Sequence, residues 1–144
     1  MNIGIRNIMM VMVLLISCKP KPQLMQAGDQ ELTIKLMKLK DKADPGNTLS
    51  YQARLIPGKK KNETGTNETK QDLLYRMDST FYIIEHHKKI YASLVQPVAN
   101  GLKDSYEYLL QFESDSMLDD QQIEMIYQDK YISKRTYRLK ATGE

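Results

Sequence analysis

The feature that most constrains this chain is the alternation of apolar and polar residues over short runs. In the clearest run, 105–113, every second residue is apolar. These residues are Tyr106, Tyr108, Leu110 and Phe112. Because successive side chains of a strand point to opposite faces of a sheet, this spacing predicts a strand with one buried face. Runs 30–40 and 49–55 alternate in the same way, and the first changes phase at Met37, which predicts a bulge or a strand end.

Two further runs, 81–85 and 90–95, are apolar on both faces. Such runs are typical of central strands that are covered on both sides. Between the runs lie turn signals, among them the segment 86–89 and the pair Asn100-Gly101, which favours a type I′ turn. About seven or eight short strands without a long helical period predict an all-β domain, an antiparallel β-sandwich that is immunoglobulin-like in architecture.

The segment Lys59–Lys70 lacks an apolar period, so it predicts a mobile, solvated loop. Its first three residues are lysines, and contact of these lysines with anionic lipid is an alternative. The spacing of Leu73 and Met77 then fits either a short strand or one turn of a helix.

The N-terminal segment has the pattern of a targeting signal. Arg6 lies in a first stretch without acidic residues, and nine apolar residues, 8–16, follow. A basic stretch before a short apolar stretch is typical of a secretory signal, and the apolar stretch is shorter than the ~20 residues that a membrane span needs.

The four residues that close this segment, Leu15-Ile16-Ser17-Cys18, resemble the lipobox of bacterial lipoproteins. The resemblance implies transfer of diacylglycerol to the thiol of Cys18, cleavage after Ser17 and attachment to a membrane through the lipid. Because Cys18 is the only cysteine, an internal disulfide is excluded, and acylation would use the one thiol. We therefore predict that Cys18 is the lipid-anchor residue. The alternatives are an uncleaved N-terminal anchor and an ordinary signal with a chance cysteine.

The predicted organisation has three parts. Residues 1–17 are the lipoprotein signal peptide, and residues 18–30 are a lipidated tether. The tether begins Lys19-Pro20-Lys21-Pro22, and prolines favour extended backbone over a folded element. Residues 31–144 form the β-sandwich domain.

Two features bear on the compartment. Lys19 stands where enterobacterial lipoproteins that stay in the inner membrane carry aspartate, so the lipobox resemblance favours the outer membrane, on its periplasmic or surface face. In addition, Asp78-Ser79-Thr80 and Asp115-Ser116-Met117 resemble the short O-glycosylation sequons of exported Bacteroidetes proteins. The lipobox resemblance predicts a location in the cell envelope, whereas the sequon resemblance is a hint about the source of the protein alone.

The charge balance bears on the partners. The formal net charge is only +3, and the two signs are interspersed along the chain. This pattern gives no electrostatic case for nucleic acid as a partner. The predicted partners are the membrane, through the lipid on Cys18, and an envelope protein.

Candidate chemistry is sparse. The only two histidines, His86 and His87, are adjacent, and on a strand they would point to opposite faces. No third ligand at metal-site spacing is visible, so we predict neither a metal nor another cofactor. A glycosidase-like pair of carboxylates stays open, because such a pair is defined by distance in space. The candidates are Glu107, Glu113, Asp115, Asp119 and Asp120.

Three functions are compatible with these features. The first is a non-enzymatic accessory or interaction module that contacts an envelope protein. The second is a module that binds a glycan or inhibits a cell-wall hydrolase, and the third is a hydrolase. The first hypothesis predicts an exposed apolar or tyrosine-rich patch, since the tyrosines of the strands serve either the core or an outward binding surface. They are Tyr91, Tyr106, Tyr108, Tyr127, Tyr131 and Tyr137.

Overall fold

The computed structural model describes residues 24–40, 46–118 and 123–140 and, at residues 62–64, the backbone alone. Within these ranges the chain forms nine strands and two helices. In chain order they are β1 (Leu24–Gly28), β2 (Leu32–Lys38), β3 (Thr48–Pro57), α1 (Lys59–Thr64), α2 (Asn67–Tyr75), β4 (Phe81–Glu85), β5 (Lys88–Tyr91), β6 (Leu94–Val98), β7 (Tyr106–Glu113), β8 (Glu124–Gln128) and β9 (Thr136–Leu139). One antiparallel sheet has the order β1-β2-β3-β7-β6 and the other β5-β4-β8-β9. The predicted all-β class is confirmed.

The two sheets bury their inner faces in one core. Every second residue of β3 is buried, and β2 and β7 contribute fully buried side chains beside it. Phe81 of β4 joins the layers, since its ring lies 6.2 Å from the ring of Tyr108 in β7 and 4.6 Å from that of Tyr127 in β8. Burying a large apolar side chain contributes about 1.5–3 kcal/mol, so the alternating residues hold the sheets together. The faces predicted for 32–36, 49–55 and 106–112 are confirmed, with Tyr106 only half-buried.

The phase change at Met37 marks the end of a strand. Met37 lies opposite Gln52 and Lys38 lies opposite Tyr51, so no residue is inserted in the ladder. β2 ends at Lys38. Of the two predicted explanations, the strand end is confirmed and the bulge is wrong.

The prediction of a loop over Lys59–Lys70 is wrong, because α1 and the first half of α2 occupy this segment. The hydroxyl of Thr66 accepts a hydrogen bond from the N–H of Thr69 at 3.2 Å and so caps α2. Leu73 is the buried residue of α2, and it fixes the helix on the core. A helix that buries so little has no visible apolar period, and for this reason the pattern predicted a loop.

The run 90–95 does not form the predicted central strand. β5 ends at Tyr91 and β6 begins at Leu94, and each is an edge strand of a different sheet. Between them the N–H of Ala92 donates to the carbonyl of Phe81 at 3.1 Å, and the N–H of Ser93 donates to that of Gln111 at 2.8 Å. The chain therefore passes from one sheet to the other at this point. The run 81–85 is β4, which is internal to its sheet as predicted.

The turn signals had mixed outcomes. The predicted hairpin at 86–89 is confirmed, and its two central residues, His86 and His87, have φ of 46° and 65°. The predicted type I′ turn at Asn100-Gly101 is wrong, since residues 99–105 separate β6 from β7. There the Oδ1 atom of Asn100 accepts the N–H of Leu102 at 2.8 Å, and Gly101 has a φ of 69°. The asparagine side chain thus builds an Asx turn within a longer connection.

The first strand lies inside the segment predicted as tether. β1 pairs with β2 over its whole length, and its Met25 is only 3% exposed. The folded part therefore begins no later than Leu24, and residues 29–31 form the turn between β1 and β2.

Candidate functional site

The strands run between two ends of the sandwich. The chain enters β1 from the end that carries Lys40, Asn47 and residues 114–118, which we call the tether end. At the opposite end lie the β1–β2 turn, both helices, and the connections 99–105 and 129–135. We call this the groove end, because the surface depressions described next lie there.

A groove of about 460 Å³ separates α2 from the β6–β7 connection. Its lining residues are Lys70, Leu74, Val98, Ala99, Asn100, Gly101, Leu102, Lys103, Ser105, Tyr106, Glu107 and Tyr108. Three large apolar side chains in this lining are exposed, Leu74 at 41%, Val98 at 42% and Leu102 at 53%. Single exposed apolar residues are ordinary on protein surfaces, but three that line one groove are typical of a binding surface.

Two lysines, Lys70 and Lys103, complete the lining with positive charge. Neither forms an ion pair with any side chain that the structure describes. The third charged residue, Glu107, is buried and lies opposite Arg54, with which it forms an ion pair. Since Glu107 is neutralised by Arg54, the lysines set the charge of the groove.

The walls of the groove are fixed by hydrogen bonds. On one side, the buried hydroxyl of Tyr108 donates to the carbonyl of Leu73 at 2.6 Å and holds α2. On the other side, the Nδ2 atom of Asn100 donates to the Oγ of Ser105 at 3.3 Å, and the Asx turn presents Leu102 to solvent. These hydrogen bonds hold both walls of the groove in place, and a surface that is already ordered lowers the entropic cost of association.

A smaller cleft of about 150 Å³ lies beside the groove. Lys70 and Tyr106 line both depressions, and Tyr131 and Ile132 of the 129–135 connection line the smaller one. The groove end thus presents one depressed surface to which three connections contribute.

The buried carboxylate of Asp129 organises the 129–135 connection. It accepts hydrogen bonds from the backbone N–H groups of Tyr131, Ile132, Ser133 and Lys134 and from the hydroxyls of Tyr127 and Ser133. The hydroxyl of Tyr131 in turn donates to the carbonyl of Arg76, just after α2, at 2.5 Å. Asp129 therefore fixes the connection that also holds the end of the helix.

A second carboxylate, Asp29, joins the edges of the two sheets. Its Oδ1 atom caps the β1–β2 turn by accepting the N–H groups of Glu31 and Leu32. Its Oδ2 atom accepts a guanidinium N–H of Arg135 at 2.7 Å and the hydroxyl of Tyr137 at 3.0 Å. The hydrogen bond from Arg135, with help from the N–H of Glu31, lowers the pKa of Asp29 from 3.8 to about 2.

Most candidate residues from the sequence lie elsewhere. Cys18, the predicted lipid-anchor residue, is outside the described residues, as are Asp119 and Asp120. Glu107 and Glu113 are six positions apart on β7, about 20 Å at the rise of a strand, which is too far for a glycosidase pair. Both histidines are exposed in the β4–β5 turn.

The tyrosines serve mainly the core. Tyr108, Tyr127 and Tyr137 are buried, and Tyr106 and Tyr131 are half-buried against it. Burial raises the pKa of the Tyr108 hydroxyl far above its ordinary value, so this group stays a neutral donor. Of the six tyrosines named from the sequence, one is exposed, namely Tyr91, whose ring centroid lies 5.5 Å from that of Tyr82.

The ammonium group of Lys89 contacts both rings of this tyrosine pair. The Nζ atom of Lys89 lies 3.8 Å from the ring centroid of Tyr82 and 4.9 Å from that of Tyr91. This cation–π contact stabilises the outer face of the second sheet. It also occupies the face of each ring that Lys89 approaches.

The described ranges contain neither a cluster of metal ligands nor a membrane-spanning helix. No group of three histidine, cysteine, aspartate or glutamate side chains there could hold a metal ion. In the same ranges, neither helix is long and apolar enough to cross a bilayer.

Comparison of the chain with protein-family models, with curated proteins and with solved structures finds no match. The assignment of the groove as a candidate site therefore rests on its geometry alone. Sequence reasoning missed it, because Leu74, Val98 and Leu102 come from three different segments.

Proposed function

We propose that this chain is a lipid-anchored, non-enzymatic interaction module of the cell envelope, attached to the outer membrane through Cys18, whose groove end binds a protein partner. The observation that carries the proposal is the preformed apolar groove between α2 and the β6–β7 connection. Its exposed Leu74, Val98 and Leu102 offer contact area, and Lys70 and Lys103 lie beside them. This chemistry suits a partner segment with a few apolar side chains flanked by acidic residues.

The position of the groove supports this assignment. β1 is entered from the tether end, and the groove lies at the other end of the sandwich. A domain anchored through residues before Leu24 would therefore present the groove away from its attachment point.

We also propose that the sandwich is immunoglobulin-like. If β2 to β9 are lettered A, B, C, C′, D, E, F and G, the sheets have the orders A-B-E-D and C′-C-F-G. Immunoglobulin domains pair ABED on one sheet and CFG on the other. β1 would be an added edge strand, and the helices an insertion between B and C. An experimental structure in which β4 pairs with β3 would contradict this assignment.

Under the immunoglobulin lettering, the groove end corresponds to an end of the sandwich that carries binding loops in variable domains. The connections at the groove end become the B–C, D–E and F–G loops, and in immunoglobulin variable domains the B–C and F–G loops are part of the binding surface. Loops on a rigid sandwich can vary without loss of the core, so they are suited to recognition.

Photo-crosslinking in cells tests the partner. A photoreactive residue placed at Leu102 should capture an envelope protein, whereas the same residue at Tyr75, which is 77% exposed on the same side of the domain but outside the groove lining, should not. The crosslinked peptide should contain apolar and acidic residues. Replacing Leu74 by Ser should weaken binding by about tenfold, the equivalent of ~1.4 kcal/mol of lost apolar burial. Equal capture from both positions would refute the groove as the binding site.

Acylation tests the anchor independently. The variant Cys18→Ala should accumulate as uncleaved precursor and take up no radioactive palmitate. Normal processing of that variant would refute the lipid anchor without bearing on the groove.

A further inference from the structure

The position of Leu24 limits how far the domain can stand from its anchor. Leu24 lies opposite Met37, and Met37 lies opposite Gln52. Gln52 is four residues from Thr48, where β3 begins at the tether end. At a rise of about 3.3 Å per residue, Leu24 is therefore set back about 13 Å from that end.

The chain from Cys18 to Leu24 is only slightly longer than the distance from Leu24 to the tether end. Six residue steps separate Cys18 from Leu24, and at full extension they span at most about 20–22 Å. Cys18 can therefore lie no more than about 8 Å beyond the tether end, which is comparable with the headgroup layer of one leaflet, about 6 Å thick.

We propose that the tether end rests on the surface of the bilayer, with Met117 at the level of the headgroups. This inference rests on the proposed lipid anchor at Cys18, and it adds the lipid surface as a second contact of the domain. Met117 is 73% exposed, the second most exposed of the large apolar side chains in the described ranges. The backbone beside it is held in place, because the N–H of Leu118 donates to the carbonyl of Gly46 at 2.6 Å.

The proposed orientation keeps two other charged surfaces away from the bilayer. The outer face of the five-stranded sheet carries the polar side chains of Lys35, Arg54 and Glu107, of which the last two form an ion pair. Lys59, Lys60 and Lys61 lie in α1 at the groove end, so the anchor directs them away from the membrane. Contact of these lysines with anionic lipid, an alternative from the sequence, is therefore disfavoured.

Dye fluorescence on vesicles tests the orientation. The acylated full-length protein is reconstituted in vesicles of phosphatidylethanolamine and phosphatidylglycerol, and an environment-sensitive dye is attached in turn to the variants Met117→Cys, Leu102→Cys and Lys35→Cys. Because the native thiol is acylated, each variant offers a single reactive thiol. We expect a blue shift of emission and protection from an aqueous quencher for the dye at 117 alone. A flexible insert of Gly and Ser residues after Pro22 should remove both effects.

Each outcome is decisive. A shift at Met117 that the insert removes supports the inference. A shift at Lys35 means that the domain lies flat, and a shift at Leu102 means that it is inverted. Either result, or no shift at any position, overturns the inference while the anchor stands. Protein that is not acylated and does not co-sediment with the vesicles overturns the proposed anchor itself.

Discussion

Removal of the Asp129 carboxylate should be among the most damaging single changes outside the apolar core. Six donors converge on this side chain, which is only 4% exposed. In the variant Asp129→Ala, the donors near the surface can turn to water. The hydroxyl of Tyr127 and the N–H of Ile132 cannot, because both residues are buried.

The magnitude follows from these two groups. A buried donor that loses its partner costs about 1–3 kcal/mol, so two donors cost roughly 4 kcal/mol. A domain of this size has a free energy of unfolding of about 5–15 kcal/mol, so the loss is a large share of it. The variant Asp129→Asn keeps one acceptor oxygen but turns an NH₂ group toward other donors. We expect it to lose about half as much, ~2 kcal/mol.

Urea denaturation followed by circular dichroism measures both values, with an unchanged m-value as the check that unfolding stays cooperative. The matched control is Asp78→Asn, since Asp78 is exposed and should change stability by no more than about 0.5 kcal/mol. If Asp129→Ala lost less than about 1 kcal/mol, the carboxylate would not be what orders the 129–135 connection.

Three further outcomes are expected. Because the pKa of Asp29 is lowered from 3.8 to about 2, its stabilising contribution should be complete above about pH 4 and disappear as the pH falls toward 2. A carboxyl NMR titration should show that midpoint, and Arg135→Gln should move it upward; an unchanged midpoint would contradict the assigned cause. Gly58→Ala should lower the free energy of unfolding in urea titrations by about 1–3 kcal/mol, because the added Cβ would lie 2.2 Å from the carbonyl oxygen of Gln30. An unchanged free energy would mean that the backbone shifts to accept the methyl group. His87→Gly should raise the free energy of unfolding by about 0.5 kcal/mol. His87 has a left-handed backbone, which costs a residue with a Cβ atom about 1–2 kcal/mol, and removing this cost outweighs the entropic cost of glycine. His87→Ala keeps the Cβ atom and should gain nothing in the same assay.

The strands were predictable because burial of one face imposes a period of two on the sequence. Residues 49–55 and 105–113 alternate and form β3 and β7, the neighbouring strands at the middle of the five-stranded sheet. Central strands are under the strongest constraint, since a slip of one residue would turn every buried side chain to solvent. The all-β class follows from such segments alone.

The errors fall where that constraint is weak. α2 buries only Leu73, so its sequence carries almost no helical period. β5 and β6 are edge strands of different sheets, although their residues form one continuous apolar run. Ile90 of β5 and Val95 of β6 pack on the core, whereas Leu94 is exposed. The run therefore does not reflect one strand that is covered on both faces. β1 was hidden among the polar and proline-rich residues of the predicted tether, because a short edge strand needs only one buried side chain, Met25, to belong to the core.

The candidate site could not be predicted for a related reason. Alternation specifies the faces of a sandwich, but its ends are built from connections that are remote in sequence. Leu74 lies in the last turn of α2, Val98 ends an edge strand, and Leu102 lies in a turn. Each one alone is an ordinary exposed apolar residue. Val98 and Leu102 are four residues apart, and the position of α2 at the same end brings Leu74 to them. The register of β1 against β2 sets the start of β1 back from the other end. Under the proposed anchoring through Cys18, a longer chain before Leu24 should free the tether end from the bilayer surface without altering the groove.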